Sequence, residues 1–112
     1  MRTSCFDVHR KKNFANPVSI ARYSPSGFKG VKYEPLMPDK EALSRFKRGD
    51  ISQAEFILFY NSKLDQLNPA SVILDLGKDA VLLCYESARQ FCHRRLVAQW
   101  IADKLFIEIP EV

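Results

Sequence analysis

The sequence predicts an α/β domain over residues 1–112, a small, mostly parallel sheet of three or four strands covered by about four helices. Three observations carry this expectation. Short β-favouring runs, above all Ala80-Val81-Leu82-Leu83, stand among segments with helical periodicity. A continuous apolar run of that length suits a strand buried on both faces, as in a parallel sheet. Helix start and stop signals fall where the apolar patterns break.

In chain order, Met1 to His9 holds Ser4, Cys5, Phe6 and Val8, which read as a short strand before basic Arg10-Lys11-Lys12 and a loop over 13–16. Pro17-Val-Ser-Ile-Ala21 reads as a second strand, since a proline is tolerated at a strand's first residue. The segment 24–38, with Pro25, Pro35, Pro38, Gly27 and Gly30, reads as an irregular loop. Phe28 and Tyr33 are expected to pin that loop to the body, because aromatic side chains need burial. The other reading is that Tyr23, Phe28 and Tyr33 beside Lys29 and Lys32 stack on a base and hold a phosphate.

Asp39 can cap a helix carrying Ala42, Leu43 and Phe46 inward, with Gly49 as its stop. Ser52 and Glu55 form a capping box for a helix presenting Phe56, Phe59, Tyr60, Lys63 and Leu67. Asn68-Pro69 is a cap followed by a first-turn proline, and Gly77 closes that helix. These three helices read as packing elements. A strand over 80–85 follows, then a helix to about Asp103 and a last strand over 105–109. Ser87 and Gln90 fit a capping box for the helix, placing its start near Ala88.

The richest chemistry lies in Leu82-Leu-Cys-Tyr-Glu-Ser-Ala-Arg-Gln-Phe-Cys-His-Arg-Arg95. Steps of 100° from Cys92 put His93, Leu96, Val97, Trp100 and Ile101 on one half of the helix, with Arg94 and Arg95 opposite. Groups just past the carboxyl end of a parallel strand stand where open α/β sheets bind ligands. The expected catalytic set is therefore Glu86, His93, Cys84 and Cys92, with Arg22, Lys29 and Arg94 binding an anion. Glu86 and His93 could share a proton in general acid–base work. A nucleophilic thiol is also readable, but the phosphatase-type spacing fails: the sixth residue after Cys84 is Gln90. Neighbouring Cys92 and His93, with no Cys-x-x-Cys, argue against a metal centre, and none is expected. No cofactor is implied by any motif.

Net charge is +4, yet residues 1–48 carry eleven Lys/Arg against four Asp/Glu and residues 49–112 carry six against nine. A basic half favours an anionic partner, a small phosphate-bearing molecule or nucleic acid. No apolar run approaches the roughly 20 residues of a membrane span, so no membrane partner is expected. An odd cysteine count of three, with Cys84 in an apolar strand, reads as reduced thiols in a cytoplasmic protein.

Leu-Leu-Cys-Tyr-Glu (82–86), Phe-Cys-His-Arg (91–94), Leu96, Val97 and Trp100-Ile101 together resemble the domain of unknown function 488 family. Ser19-Ile-Ala-Arg22, Pro25, Phe28-Lys-Gly30, Tyr33, Leu36 and Pro38 extend the resemblance over nearly the whole chain. It implies a compact bacterial or phage-type α/β domain and no particular reaction. Many members carry Asp-Val-Arg after their first strand, where this chain has Ile20-Ala21-Arg22. The expected function is an enzyme acting on a phosphate-bearing or nucleotide-like substrate; the alternative is a non-catalytic basic module that binds nucleotide or nucleic acid.

Overall fold

The computed structural model describes residues 1–86 and 91–112. The apolar run folds as β4 (Val81–Cys84), all four residues of which are buried. It lies between β1 (Arg2–Cys5) and β2 (Pro17–Ser19), and a two-residue β3 (Val31–Lys32) flanks β2. The order is β1-β4-β2-β3 and every pairing is parallel. Leu82 sits opposite Thr3 on one side and Val18 on the other. Both edges of the strand are paired, and side-chain clusters cover both its faces, as its unbroken hydrophobicity requires.

Side chains alternate between those faces. Leu82 joins Val18, Ile20, Val97, Trp100 and Ile101 in the larger core. Val81 and Leu83 join Phe6 and Ala21 in a smaller one. The larger core lies under α3 (Gln53–Leu64), α4 (Pro69–Leu76) and α5 (His93–Leu105), the smaller under α1 (Phe6–Lys12). α2 (Lys40–Lys47) leans on α3, where Phe46 stacks on Phe56 with ring centroids 4.9 Å apart.

The helix boundaries follow the caps. Asp39 Oδ2 accepts from Ala42 N–H at 3.1 Å to start α2. Ser52 and Glu55 exchange both bonds of a capping box at 3.1 Å each. Asn68 Oδ1 accepts from Ala70 N–H at 2.9 Å. Gly77, at φ +92°, ends α4 in a conformation that a side chain would strain.

Several expectations are corrected. The first strand ends at Cys5, and residues 6–12 form α1, closed by Asn13 in the left-handed region. A seven-residue helix with only Phe6 buried leaves no apolar stripe to read. Segment 24–38 contains β3 and a short 3₁₀ turn, Glu34–Leu36. Both residues of β3 are exposed, so only backbone pairing betrays it. Phe28 and Tyr33 do anchor this segment: Phe28 meets Phe6 edge-on at 5.5 Å, and Tyr33 Oη donates to Asp75 at 2.7 Å.

On α3, Phe59 is exposed, and Phe56, Tyr60 and Leu64 make the buried face. The last strand over 105–109 does not form. α5 runs through Leu105, Phe106 turns the chain at φ +56°, and Phe106 and Ile107 stay exposed. The tail instead meets β1 further on, where Thr3 N–H donates to Pro110 O at 2.9 Å and Val112 N–H to Thr3 O at 2.8 Å. α5 begins at His93; the expected capping box at Ser87 and Gln90 lies outside the described residues. Among the described residues, no helix is long and apolar enough to cross a membrane.

Leu82→Ala opens a cavity in the central strand, and a loss of about 2–5 kcal/mol is expected from urea unfolding, with the m-value unchanged.

Candidate functional site

Parallel register aligns the carboxyl ends of β1, β4 and β2, so the residues that leave them emerge on one rim. A cleft of about 250 Å³ opens there. Ala21, Arg22 and Tyr23 enter it from the end of β2, and Cys84, Tyr85 and Glu86 from the end of β4. His93 comes from the start of α5, and Pro38, Leu43 and Lys47 close the side toward α2. Four residues expected at a site, Arg22, Cys84, Glu86 and His93, thus share one cleft.

The first two residues of α5 hold its two lips. His93 Nε2–H donates to the Ile20 carbonyl at 2.7 Å, two residues before Arg22. A carbonyl can only accept, so this bond fixes the tautomer and leaves Nδ1 bare. Nδ1 faces Cys92 Sγ at 3.8 Å. Burial, opposed by the Ile20 bond and reinforced by the charges of Arg94 and Lys63, pushes the imidazole down to about 4. His93 is therefore neutral at neutral pH. The proton-sharing pair expected between His93 and Glu86 is not made, because the ring's N–H is committed to Ile20.

Arg94 departs furthest from expectation. Helical phase put it opposite the sheet, yet it is fully buried. Nε and Nη2 donate to the Glu111 carboxylate at 3.0 and 2.7 Å. Nη1 donates to the Glu86 carbonyl at 2.7 Å and reaches Cys84 Sγ at 3.0 Å. With its donors so engaged, Arg94 positions the second lip and has no edge left for an anion. At the first turn of α5 the returning tail covers the Arg94 side, while the adjacent Arg95 stays exposed.

Arg22 keeps a freer edge. Its Nε and Nη2 donate to the Pro38 carbonyl at 3.1 and 2.9 Å. Nη1 lies 3.8 Å from Glu34, whose carboxylate is largely exposed and competes weakly. Behind it, Lys63 donates to the Met37 carbonyl. Burial and the Arg22 charge lower the Lys63 ammonium despite nearby Asp39 and Glu34. Lys29 does not join this group. It lines a separate cleft of about 330 Å³ with Phe6, His9, Arg10 and Phe28.

Cys84 and Cys92 are joined as a disulfide between the end of β4 and the residue before α5, which corrects the expectation of reduced thiols throughout; Cys5 is free and buried. The two sulfurs and a His93 ring nitrogen lie within 4.8 Å of one another. These are soft ligand types, but bonded to each other the sulfurs offer no thiolate to an ion.

Sequence reasoning missed Lys47 and Glu111. The basic last turn of α2 was a signal for the first. Nothing local signals the second, which meets its partner 17 residues away in the chain.

Glu111 is lowered overall: burial alone would raise it, and the bonds from Arg94 and Thr3 outweigh that. A carboxylate depressed by folding stabilises fully above its unfolded value of about 4.3 and loses that contribution as pH falls through the folded value. Glu111→Gln is expected to cost about 3–5 kcal/mol at pH 7, since it strands the Arg94 charge, with the deficit shrinking toward pH 3 in thermal melts. For His93, also depressed, stability is expected to decline as pH falls from about 6.5 toward 4. His93→Gln should flatten that slope.

No curated protein and no solved structure matches the chain. A family model described as the active DUF488-N3 subclade matches residues 1–105. With the fold, the Cys-Tyr-Glu and Cys-His-Arg segments and nearly the whole length in agreement, the chain belongs to the DUF488 family.

Proposed function

We propose that the chain, folded as one domain over 1–112, is an enzyme whose rim cleft takes a phosphate-bearing, nucleotide-like small molecule. The observation that carries this reading is the placement of Arg22 and Lys47 in the same cleft as Glu86. Two cations on one rim, Arg22 past the end of β2 and Lys47 in the last turn of α2, suit an anionic ligand. Arg22 would present Nη1 to a phosphate oxygen, with Lys47 as a second point charge.

Glu86 is the group suited to move a proton, since it stands at the cleft with no part in the buried ion pair. His93 acts as a positioning residue, holding Ile20 and through it the turn that carries Arg22. Water is excluded behind the cleft by Tyr60, which meets the His93 ring edge-on at 5.2 Å. That the matched subclade is described as active supports an enzyme over an inert scaffold. The same reading sets the protein in a bacterial cytoplasm.

A second reading has its own observation. Arg10 and Lys29 border the larger cleft beside the aromatic Phe28. Bases stacking on aromatics with phosphates on lysines would make this a nucleic-acid binder without catalysis.

Titration calorimetry with inorganic phosphate and mononucleotides separates the two. Arg22→Gln and Lys47→Gln are each expected to weaken binding about tenfold or more, the worth of one charge-assisted bond. Glu86→Gln should leave affinity intact and abolish turnover. If Arg10→Gln and Lys29→Gln alone weaken binding, and affinity for single-stranded oligonucleotides falls steeply with salt, the binder is favoured and the cleft reading fails.

A further inference from the structure

We propose that Cys84 and Cys92 form a reversible dithiol–disulfide couple that exchanges with an external dithiol through the rim cleft, Cys84 being the sulfur attacked. This goes beyond the ligand reading and does not depend on it. Cys84 lines the cleft and Cys92 does not; both residues are almost fully buried, so an external thiol has to reach the pair from the Cys84 side. Around the pair stand the groups that a dithiol state needs. Arg94 Nη1 points at Cys84 Sγ from 3.0 Å and is held there by its bond to the Glu86 carbonyl. A guanidinium donor of that kind favours the thiolate over the thiol. Cys92 immediately precedes the thirteen-residue α5, so its sulfur lies at the positive end of the helix. His93 Nδ1, unprotonated in the tautomer set by Ile20, lies 3.8 Å from Cys92 Sγ and can accept its proton.

The exchange balances as follows. A thiolate of the external dithiol attacks Cys84 Sγ, the Cys84–Cys92 bond breaks, and the electron pair leaves on Cys92. The second thiol of the reagent then attacks its own partner sulfur in the mixed disulfide and releases the Cys84 thiolate toward Arg94. Two electrons pass from the dithiol to the protein, the reagent leaves as a cyclic disulfide, and its two protons go to the cysteine pair or to solvent.

Cys84 ends β4 and Cys92 begins the turn into α5, so the couple closes the segment that carries Glu86. Reduction removes that link, while Arg94 Nη1 still holds the Glu86 carbonyl.

The whole protein, equilibrated across ratios of reduced to oxidised dithiothreitol, acid-quenched and alkylated, reports the state of each cysteine by peptide mass. Cys84 and Cys92 are expected to convert together and reversibly in one two-electron step, with Cys5 alkylated independently of the ratio. Offered oxidised glutathione, Cys92→Ser should form a mixed disulfide on Cys84 with release of one glutathione thiol, about tenfold faster than Cys84→Ser forms one on Cys92. Two cysteines that stay reduced under fully oxidised dithiothreitol would overturn the proposal. So would trapping on Cys92 in preference to Cys84, or one equivalent of zinc that shields both reduced thiols from alkylation. The wild-type titration decides the matter even where a serine variant fails to fold.

Discussion

A fully buried guanidinium is the constraint on which the rest of this structure depends. Removing Arg94 from water is costly unless every donor finds an acceptor and the charge finds a counter-charge. The chain meets that demand from two places: the carboxylate of Glu111 on the tail, and the Glu86 carbonyl and Cys84 sulfur at the end of β4. Thr3 adds a hydrogen bond to the same carboxylate, tying in the first strand. One side chain therefore joins the beginning, the centre and the end of the sequence at the edge where the strands finish.

The adjacent His93 does the corresponding work without a charge. Kept neutral by burial, it bonds the Ile20 carbonyl and so fixes the turn leading to Arg22. Two consecutive residues thus steady the two strand exits, one by an ion pair and one by a neutral bond. Arg22, Lys47 and Glu86 face the cleft as well, Arg22 held by the Pro38 carbonyl and the Glu86 backbone by Arg94.

Much of the architecture was legible because its signals are local. Asp39, Ser52 and Asn68 cap helices through bonds spanning two or three residues, and the run Val81–Cys84 announces a strand covered on both faces. The gathering of Arg22, Cys84, Glu86 and His93 followed from the parallel arrangement of two strand ends. What escaped reading is non-local or weakly patterned. α1 buries a single residue, β3 is two exposed residues recognised only by pairing, and the tail's approach to Thr3 needs a partner more than a hundred residues away. Arg94 was assigned to the open side because helical phase describes one helix alone. It carries no information about a tail that returns to cover the other face. The apolar pattern of Leu105 to Ile109 misled for the same reason, since Phe106 and Ile107 turn out to be exposed and only Ile109 is buried.

The strand order has a consequence for how the molecule comes into being. β4 separates β1 from β2, so β1 finds no strand neighbour, and β2 none but the two-residue β3, until about three-quarters of the chain has been synthesised. Contacts this distant in sequence make for slow assembly, and domains on the ribosome fold as units once their parts have emerged. During translation the two early strands would wait with open hydrogen-bonding edges. Chaperone occupancy should accordingly peak before the central strand leaves the exit tunnel and fall once it has threaded between them.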